Sequence, residues 1–190
     1  MTSLPDCLEC IKTRRVTRYF SEEAVPREAF VKILEAGRWA PSGGNRRLHR
    51  FIAIQDREII ELIRAVSPGM LGYPSALAVI CIDWAKAGSL GCKPHHHGAY
   101  IDVGTAAENM LLAGHALGLG TGPVTSFSAS AVSTILRLPD WLTPEMMVCI
   151  GYPAGTQPFG RSLPAKLTRL EDLISWEQFG SASVGGSLGR

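Results

Sequence analysis

Residues 40–45 read Ala-Pro-Ser-Gly-Gly-Asn, and residues 14–20, upstream of them, read Arg-Arg-Val-Thr-Arg-Tyr-Phe. The upstream stretch carries three closely spaced guanidinium groups, which can make bidentate, charge-assisted hydrogen bonds to a phosphate. The downstream stretch is small and glycine-rich, so its backbone can approach the polar edge of a flat ring without interference from Cβ atoms. Together the two stretches indicate a site for a cofactor of the mononucleotide kind.

Each stretch also has a simpler interpretation. An Arg-Arg-x-x-Arg run is commonly a solvated surface, and a Pro-Ser-Gly-Gly-Asn stretch is commonly only a turn. The cofactor hypothesis gains support from six further segments that follow in order. They are Asp-Val-Gly at 102–104, Glu-Asn-Met-Leu-Leu-Ala at 108–113, Ala-Leu-Gly-Leu-Gly at 116–120, Leu-Pro at 138–139, Ile-Gly-Tyr-Pro at 150–153 and Leu-Glu-Asp-Leu-Ile-Ser-Trp at 170–176.

With these segments in this order, residues 14 to 178 resemble the FMN-dependent nitroreductase family. Members of that family carry an R-x-S-x-R/K-x-F segment followed by an A-P-S-x-x-N-x-Q-P loop. The resemblance implies an α+β, three-layer fold in which helices flank a central mixed sheet, and it implies a homodimer. It also implies one FMN-binding domain over residues 1–179. The small, polar residues 180–190 are expected to form a flexible tail, because they cannot bury enough apolar surface to offset ordering.

The resemblance assigns roles to the early arginines. It places Arg14 on the FMN phosphate, Arg15 beside the ribityl-phosphate path, and Arg18 near the pyrimidine edge of the flavin. Positive charge at that edge stabilises the anionic reduced ring. Val16 stands where the family has serine, so one hydroxyl contact is missing.

The resemblance implies three further groups of cofactor contacts. The loop at 41–45 would reach the flavin ring, partly from the partner subunit. The segment at 123–126 would cross one face of the ring, with a backbone N–H directed at flavin N5. Basic residues near the C-terminus would hold the phosphate, and Arg169 fits the family spacing better than Lys166. The expected contacts are Pro41, Ser42, Gly43, Asn45, Pro123, Val124, Thr125, Ser126, Lys166 and Arg169.

After Asn45 the chain departs from the family pattern. Where the family continues x-Gln-Pro-Trp-x-Phe, this chain reads Arg-Arg-Leu-His-Arg-Phe over 46–51. Arg47 and His49 are the candidates for contact with a substrate that carries a carboxylate or phosphate. The alternative is a solvated strip of surface charge, which adds little to binding after screening.

The activity implied by the resemblance is that of an NAD(P)H oxidoreductase. NAD(P)H would pass a hydride to flavin N5 and leave, and a nitroaromatic, quinone or activated alkene would then be reduced in a ping-pong cycle. The cofactor would carry the chemistry, so no side chain is nominated as a catalytic acid or base. Two alternatives remain open: a flavoenzyme of the same fold with other chemistry, such as reductive dehalogenation or flavin cleavage, and a non-enzymatic flavin carrier or redox sensor.

Composition agrees with a compact enzyme. The chain has 190 residues, 46% of them hydrophobic, and a formal net charge of +2. This charge is too small to indicate a nucleic-acid or membrane surface, and no apolar run reaches the ~18 residues of a spanning helix. The charged first twenty residues lack the apolar core of a signal peptide, which predicts a cytoplasmic location.

The cysteines and histidines do not predict a metal site. Cys7 and Cys10 form a C-x-x-C that could be redox-active or half of a metal site, but no second such pair completes it. Residues 92–97 read Cys-Lys-Pro-His-His-His. Adjacent histidines diverge, so we expect surface side chains there, with contact to substrate or cofactor as the alternative.

Hydrophobic periodicity predicts alternating helices and strands in a single domain. The helix after Pro26 has its apolar residues at the i, i+3, i+4 and i+7 positions of an amphipathic helix. The apolar run at 76–82 predicts a central strand covered on both faces, and the apolar helix at 100–117 predicts an interior or subunit-interface position. The other predicted elements are helices at 3–13, around 59–66 and at 128–136, and strands at 51–54 and 146–150.

Overall fold

The computed structural model describes residues 6–155 and 169–179. The chain divides into two compact units, Met1–Gly155 and Thr156–Arg190. In the second unit, the described residues include one 3-10 turn at Leu170–Asp172. The first unit contains helices α1 (Cys7–Thr13), α2 (Arg27–Arg38), α3 (Arg57–Ala65), α4 (Trp84–Ser89), α5 (His97–Ala116) and α6 (Ala129–Ile135), strands β1 (His49–Ile54), β2 (Ala76–Asp83), β3 (Gly120–Val124) and β4 (Leu142–Gly151), and a 3-10 turn at Gly43–Asn45.

The four strands form one sheet in the order β1-β2-β4-β3. All three neighbouring pairs of strands are antiparallel. The parallel pairing that a mixed sheet requires is present as a single bridge between Val16 and Thr121. The structure is therefore α+β, as predicted, and within residues 6–155 and 169–179 the named strands pair only antiparallel, with parallel pairing at the Val16–Thr121 bridge.

The sheet separates two hydrophobic cores, which gives the predicted three layers. Every residue of β2 is buried, and successive side chains of a strand point to opposite faces. Ala78, Ile80 and Ile82 pack into the core that includes residues of α2 and α5. Leu77, Val79 and Cys81 pack into the core that includes residues of α3 and α6. The prediction of a central strand covered on both faces is confirmed.

Side-chain caps fix where several helices begin. The Asp56 and Asp83 carboxylates accept the backbone N–H of Ile59 and Lys86, at the starts of α3 and α4. The Ser128 hydroxyl accepts the backbone N–H of Ala131 at the start of α6. Such caps satisfy N–H groups that have no partner inside the helix.

The segment that follows α1 lies against β3. The Thr17 backbone N–H donates to the Thr121 carbonyl over 2.8 Å. A Cβ atom on Gly122 would stand 2.4 Å from the Thr17 carbonyl oxygen, so only glycine permits this approach. The sequence segments at 14–20 and 120–126 are consequently neighbours in space.

Candidate functional site

Arg14 directly follows α1, and two nitrogens of its guanidinium group are buried without a hydrogen-bond partner. Its side chain is 21% exposed, and Glu108 Oε1 lies 3.5 Å from its Nε. The Nε and Nη1 atoms are buried and make no hydrogen bond. Buried donors are almost always paired in folded proteins, so these two N–H groups call for an acceptor such as a phosphate oxygen.

The other two early arginines have different surroundings. Arg15 is exposed and folds back on α1, where its Nη1 donates to the carbonyls of Lys12 and Arg14 over 2.7 and 2.8 Å. Arg18 is also exposed, and its carbonyl oxygen is 2.3 Å from where a Cβ on Gly72 would stand. Of the three, Arg14 alone has buried N–H groups without a partner.

The loop at 41–45 is fixed by α5. The buried Asp102 carboxylate accepts the Gly43 N–H over 2.9 Å. The Thr105 hydroxyl donates to the Pro41 carbonyl over 3.1 Å. Gly44 and Asn45 have positive φ angles of 60° and 54°, which the glycine adopts freely and which asparagine tolerates better than most residues. The loop thus has a defined shape.

Helix α5 carries both halves of the expected cofactor site. Asp102 and Thr105 hold the loop at 41–45, and Glu108 lies beside Arg14. With a rise of about 1.5 Å per residue, Asp102 and Glu108 are separated by about 9 Å along the helix axis. These two acidic residues have no role of their own in the prediction from sequence, and the signal that could have identified Asp102 is a carboxylate within an otherwise apolar helix.

The segment at 123–126 continues β3 out of the sheet. Pro123 and Val124 are opposite Val148 and Met147 of β4. Thr125 and Ser126 are exposed just beyond the strand, and the Ser126 carbonyl accepts the Gly69 N–H over 3.0 Å. These residues lie in the same region as Arg14–Phe20, because that segment runs alongside β3.

The two basic residues expected near the C-terminus are outside the first unit. Lys166 lies outside the described residues. Arg169 precedes the 3-10 turn, and its Nη2 lies 3.4 Å from Asp172 Oδ1. Their role at the phosphate remains a prediction.

The basic strip at 46–50 divides between two clefts. Arg46 lines a cleft with the Cys92–His97 loop, and its Nη1 lies 3.5 Å from His96 Nε2. Arg47, His49 and Arg50 line a different cleft, between α2 and β1. The strip is therefore not one continuous surface.

His49 is a buried member of this strip. Its ring is 8% exposed and stacks on Phe51 with centroids 5.1 Å apart, and its Nδ1 is buried without a hydrogen-bond partner. Burial lowers the pKa of His49, while the Asp102 charge opposes that shift and the cations Arg50, Arg47 and Lys86 add to it. The ring is therefore neutral at pH 7.

Two histidines of the Cys92–His97 loop contact α5. His96 Nδ1 accepts the Gly98 N–H at the start of α5, and His95 Nδ1 lies 3.2 Å from the Tyr100 hydroxyl. Cys7 is exposed, Cys10 is buried, and both are free thiols. Within residues 6–155 and 169–179, no three His, Cys, Asp or Glu side chains are grouped so that they could hold a metal ion.

In the described part of the chain, none of the helices combines the length and the apolar character that crossing a membrane requires.

The arrangement around Arg14 fits a phosphate-bearing flavin. The two buried N–H groups of Arg14 match the oxygens of a phosphate monoester. The Gly43 N–H and the Pro41 carbonyl already bond to α5, so the other polar groups of the loop at 41–45 and those at the end of β3 would have to recognise a flavin ring. Val16 has no hydroxyl, so a cofactor contact there would have to use its backbone.

Comparison with known proteins relates the whole first unit to one family. The profile of the Nitroreductase family matches residues 11–92 and 79–152. A proposed NADH dehydrogenase/NAD(P)H nitroreductase of Methanothermobacter thermautotrophicus is 34% identical over 157 residues, covering 78% of each chain. An FMN reductase [NAD(P)H] of Bacillus subtilis is 26% identical over 167 residues, covering 78% of this chain and 66% of the relative.

A solved structure confirms the fold. The crystal structure of a nitroreductase family protein from Clostridium difficile 630 superposes with a TM-score of 0.75 at 27% identity, covering 94% of this chain and 99% of that one. The matched residues include the Arg14 segment, the loop at 41–45, α5 and β3. The chain therefore belongs to the nitroreductase family.

Proposed function

We propose that the protein is an FMN-dependent oxidoreductase that uses NAD(P)H to reduce a small acceptor such as a nitroaromatic, a quinone or an activated alkene. The observation that carries the proposal is the guanidinium of Arg14, in which Nε and Nη1 are buried without a hydrogen bond and Glu108 lies at ion-pair distance from Nε. The names of the relatives, an NAD(P)H nitroreductase and an FMN reductase, support the reaction class.

Bound FMN would supply the hydride chemistry, and the chain would supply binding, orientation and exclusion of water. Arg14 would hold the phosphate, with Arg169 and Lys166 as further candidates. The loop at Pro41, Ser42, Gly43 and Asn45 would fix the ring edge through its rigid attachment to α5. Pro123, Val124, Thr125 and Ser126 would lie along one ring face, and Arg18 would place positive charge near the pyrimidine edge.

The cofactor assignment is tested with three flavins that differ around the phosphate. Apoprotein is titrated with FMN, with riboflavin, which lacks the phosphate, and with FAD, which extends it. Arg14→Ala should weaken FMN binding by about ten- to a hundredfold, because a hydrogen bond to a charged group contributes about 1.5–3 kcal/mol. Its affinity for riboflavin should stay close to that of the wild type.

Arg27→Ala serves as the matched control, since Arg27 is an exposed arginine in the first turn of α2. It should bind all three flavins as the wild type does. Equal losses for FMN and riboflavin in Arg14→Ala would show that Arg14 supports the fold and does not hold the phosphate.

The reaction class is tested by turnover. Under anaerobic conditions, purified protein loaded with FMN should oxidise one equivalent of NADH or NADPH per flavin, and oxidation should continue beyond that only when an acceptor is present. Tight flavin binding without turnover of nitroaromatic, quinone or alkene acceptors would favour the flavin carrier or sensor, and turnover confined to halogenated acceptors would favour reductive dehalogenation.

A further inference from the structure

The cleft between α2 and β1 has an apolar floor and a basic rim, and we call it the edge groove. Its volume is about 420 Å³, which is within the range of small-molecule sites. Leu34 and Phe51 contribute to the floor, and the cations Arg38, Arg47, Arg50 and Lys86 surround it. Strand β1 is an outer strand of the sheet, so the groove opens at the side of the molecule.

Two of the four cations are already neutralised by carboxylates. Arg38 forms an ion pair with Glu35 on the same helix. Arg50 Nη2 lies 2.7 Å from Oδ2 of the buried Asp83. These two pairs add no net positive charge to the groove.

Arg47 and Lys86 are different, because no ion pair neutralises either of them among the described residues. Arg47 Nε donates to the neutral amide oxygen of Asn45 over 3.1 Å. Lys86 Nζ donates to the Arg47 carbonyl over 3.1 Å. The groove therefore holds two positive charges that each make a hydrogen bond to a neutral oxygen and are not neutralised by an ion pair.

The groove is joined to the proposed flavin site through Arg47. Its backbone N–H donates to the Ser42 hydroxyl, and its guanidinium contacts Asn45. Both partners belong to the loop expected at the flavin ring edge. A ligand whose charged group occupies the groove would therefore extend toward that loop.

We propose that the edge groove binds the carboxylate or phosphate of an electron acceptor or donor, with Arg47 and Lys86 as its charge partners and Phe51 beneath the apolar body. The proposal deepens the proposed function and rests on it, since it names the substrate class of the same site. An ordinary surface strip would leave these cations dispersed in solvent, whereas here they converge on one apolar cleft and on one loop.

Equilibrium binding tests the proposal without turnover. Titration of FMN-loaded protein with 4-nitrobenzoate and with neutral 4-nitrobenzamide should show tighter binding of the carboxylate. Arg47→Gln and Lys86→Gln should each weaken carboxylate binding by about three- to tenfold, and they should abolish most of the preference over the amide. Neither substitution leaves a buried carboxylate without its partner.

Arg46→Gln is the matched control, since it removes the same charge from the adjacent residue, which lines the other cleft. It should keep the preference for the carboxylate. Comparison of NADP⁺ with NAD⁺ forms the second arm: loss of a preference for NADP⁺ in Arg47→Gln and Lys86→Gln would identify the donor's phosphate as the ligand.

A wild-type protein that prefers neither anion over its neutral or less charged analogue would overturn the proposal. So would equal losses in Arg46→Gln and Arg47→Gln, because they would indicate general surface charge. Failure of the proposed function would be recognised differently: the protein would not bind FMN in the titration of apoprotein with FMN, riboflavin and FAD.

Discussion

Gly122 shows at the scale of one residue how the site depends on a close backbone contact. A Cβ atom there would stand 2.4 Å from the Thr17 carbonyl oxygen, and backbone cannot move aside as the end of a side chain can. We expect Gly122→Ala to lower the free energy of unfolding by about 1–3 kcal/mol, the usual cost of overpacking. Urea unfolding of the two proteins measures the difference.

Gly88→Ala is the control for this substitution. No atom lies within 4 Å of the Cβ position at Gly88, and alanine is the better helix former. This variant should be as stable as the wild type or slightly more so. If Gly122→Ala behaves in the same way, the contact between the Thr17 segment and β3 does not constrain the fold.

His49 makes stability depend on pH. Burial lowers its pKa below the ordinary 6.5, so the unfolded chain takes up a proton at higher pH than the folded chain does. The free energy of unfolding should therefore fall as the pH drops below about 6.5 toward the folded-state value. His49→Phe keeps an aromatic ring beside Phe51 without a titrating group, so its melting temperature should fall less between about pH 7 and pH 5. Identical pH profiles for both proteins would contradict this.

The sequence predicts the position of some of these residues and not of others. The buried Arg14 lies where the family resemblance places the phosphate ligand. The sequence of the strip at 46–50 predicts one basic surface, but a positive φ of 49° at Arg47 turns the chain there, and Arg46 lines another cleft. Lys86 is distant in sequence and reaches the groove only because β2 pairs with β1 and leads directly into α4.

At the scale of elements, α5 organises the candidate site by holding the loop at 41–45. Asp102→Ala would leave the Gly43 N–H without its acceptor, and a hydrogen bond to a charged group contributes about 1.5–3 kcal/mol. We expect faster hydrogen exchange at the Gly43 amide and weaker binding of FMN and riboflavin alike, since the ring-contacting loop would be less ordered. Asp102→Asn retains an acceptor oxygen and should show smaller effects on both measurements. Unchanged exchange in Asp102→Ala would mean that other contacts suffice to fix the loop.

Periodicity predicted most elements but missed two. The long helices, α2 and α5, and the buried strand β2 have patterns that packing reinforces, so their predictions are confirmed within a few residues at the ends. Strand β3 reads Gly-Thr-Gly-Pro-Val, which is typical of a turn, and it is a strand because β4 and the Thr17 segment pair with it. The short helix α4 is not predicted because its six residues are too few to show a helical period.

In the whole molecule, the apolar side chains of α5 pack largely within the chain itself. One side of the helix is buried, including Val103, Ala107 and Met110, which pack into the core that α5 shares with α2 and the sheet. The other side is exposed at Gly104 and Glu108 and at Ile101, which is 54% exposed. The sequence predicts that this helix lies in the interior or at a subunit interface; one of its sides is interior, and a subunit interface would have to use the exposed side.

We predict an obligate homodimer in which this exposed side of α5 meets the partner. The loop at 41–45 and the Arg14 segment contact α5 at two positions along its axis. An interface on the exposed side of α5 would therefore bring one subunit's loop toward the other subunit's phosphate site. Obligate interfaces commonly bury more than about 2,000 Å² and exclude charge from their centres.

A charge at the centre of this interface should separate the subunits. Ile101→Lys should therefore yield a monomer that loses FMN, whereas Leu62→Lys, on the exposed side of α3, should remain dimeric. Light scattering at micromolar concentration should give the wild type twice the 20.5 kDa mass of the chain, and a wild-type monomer that retains FMN would refute the dimer.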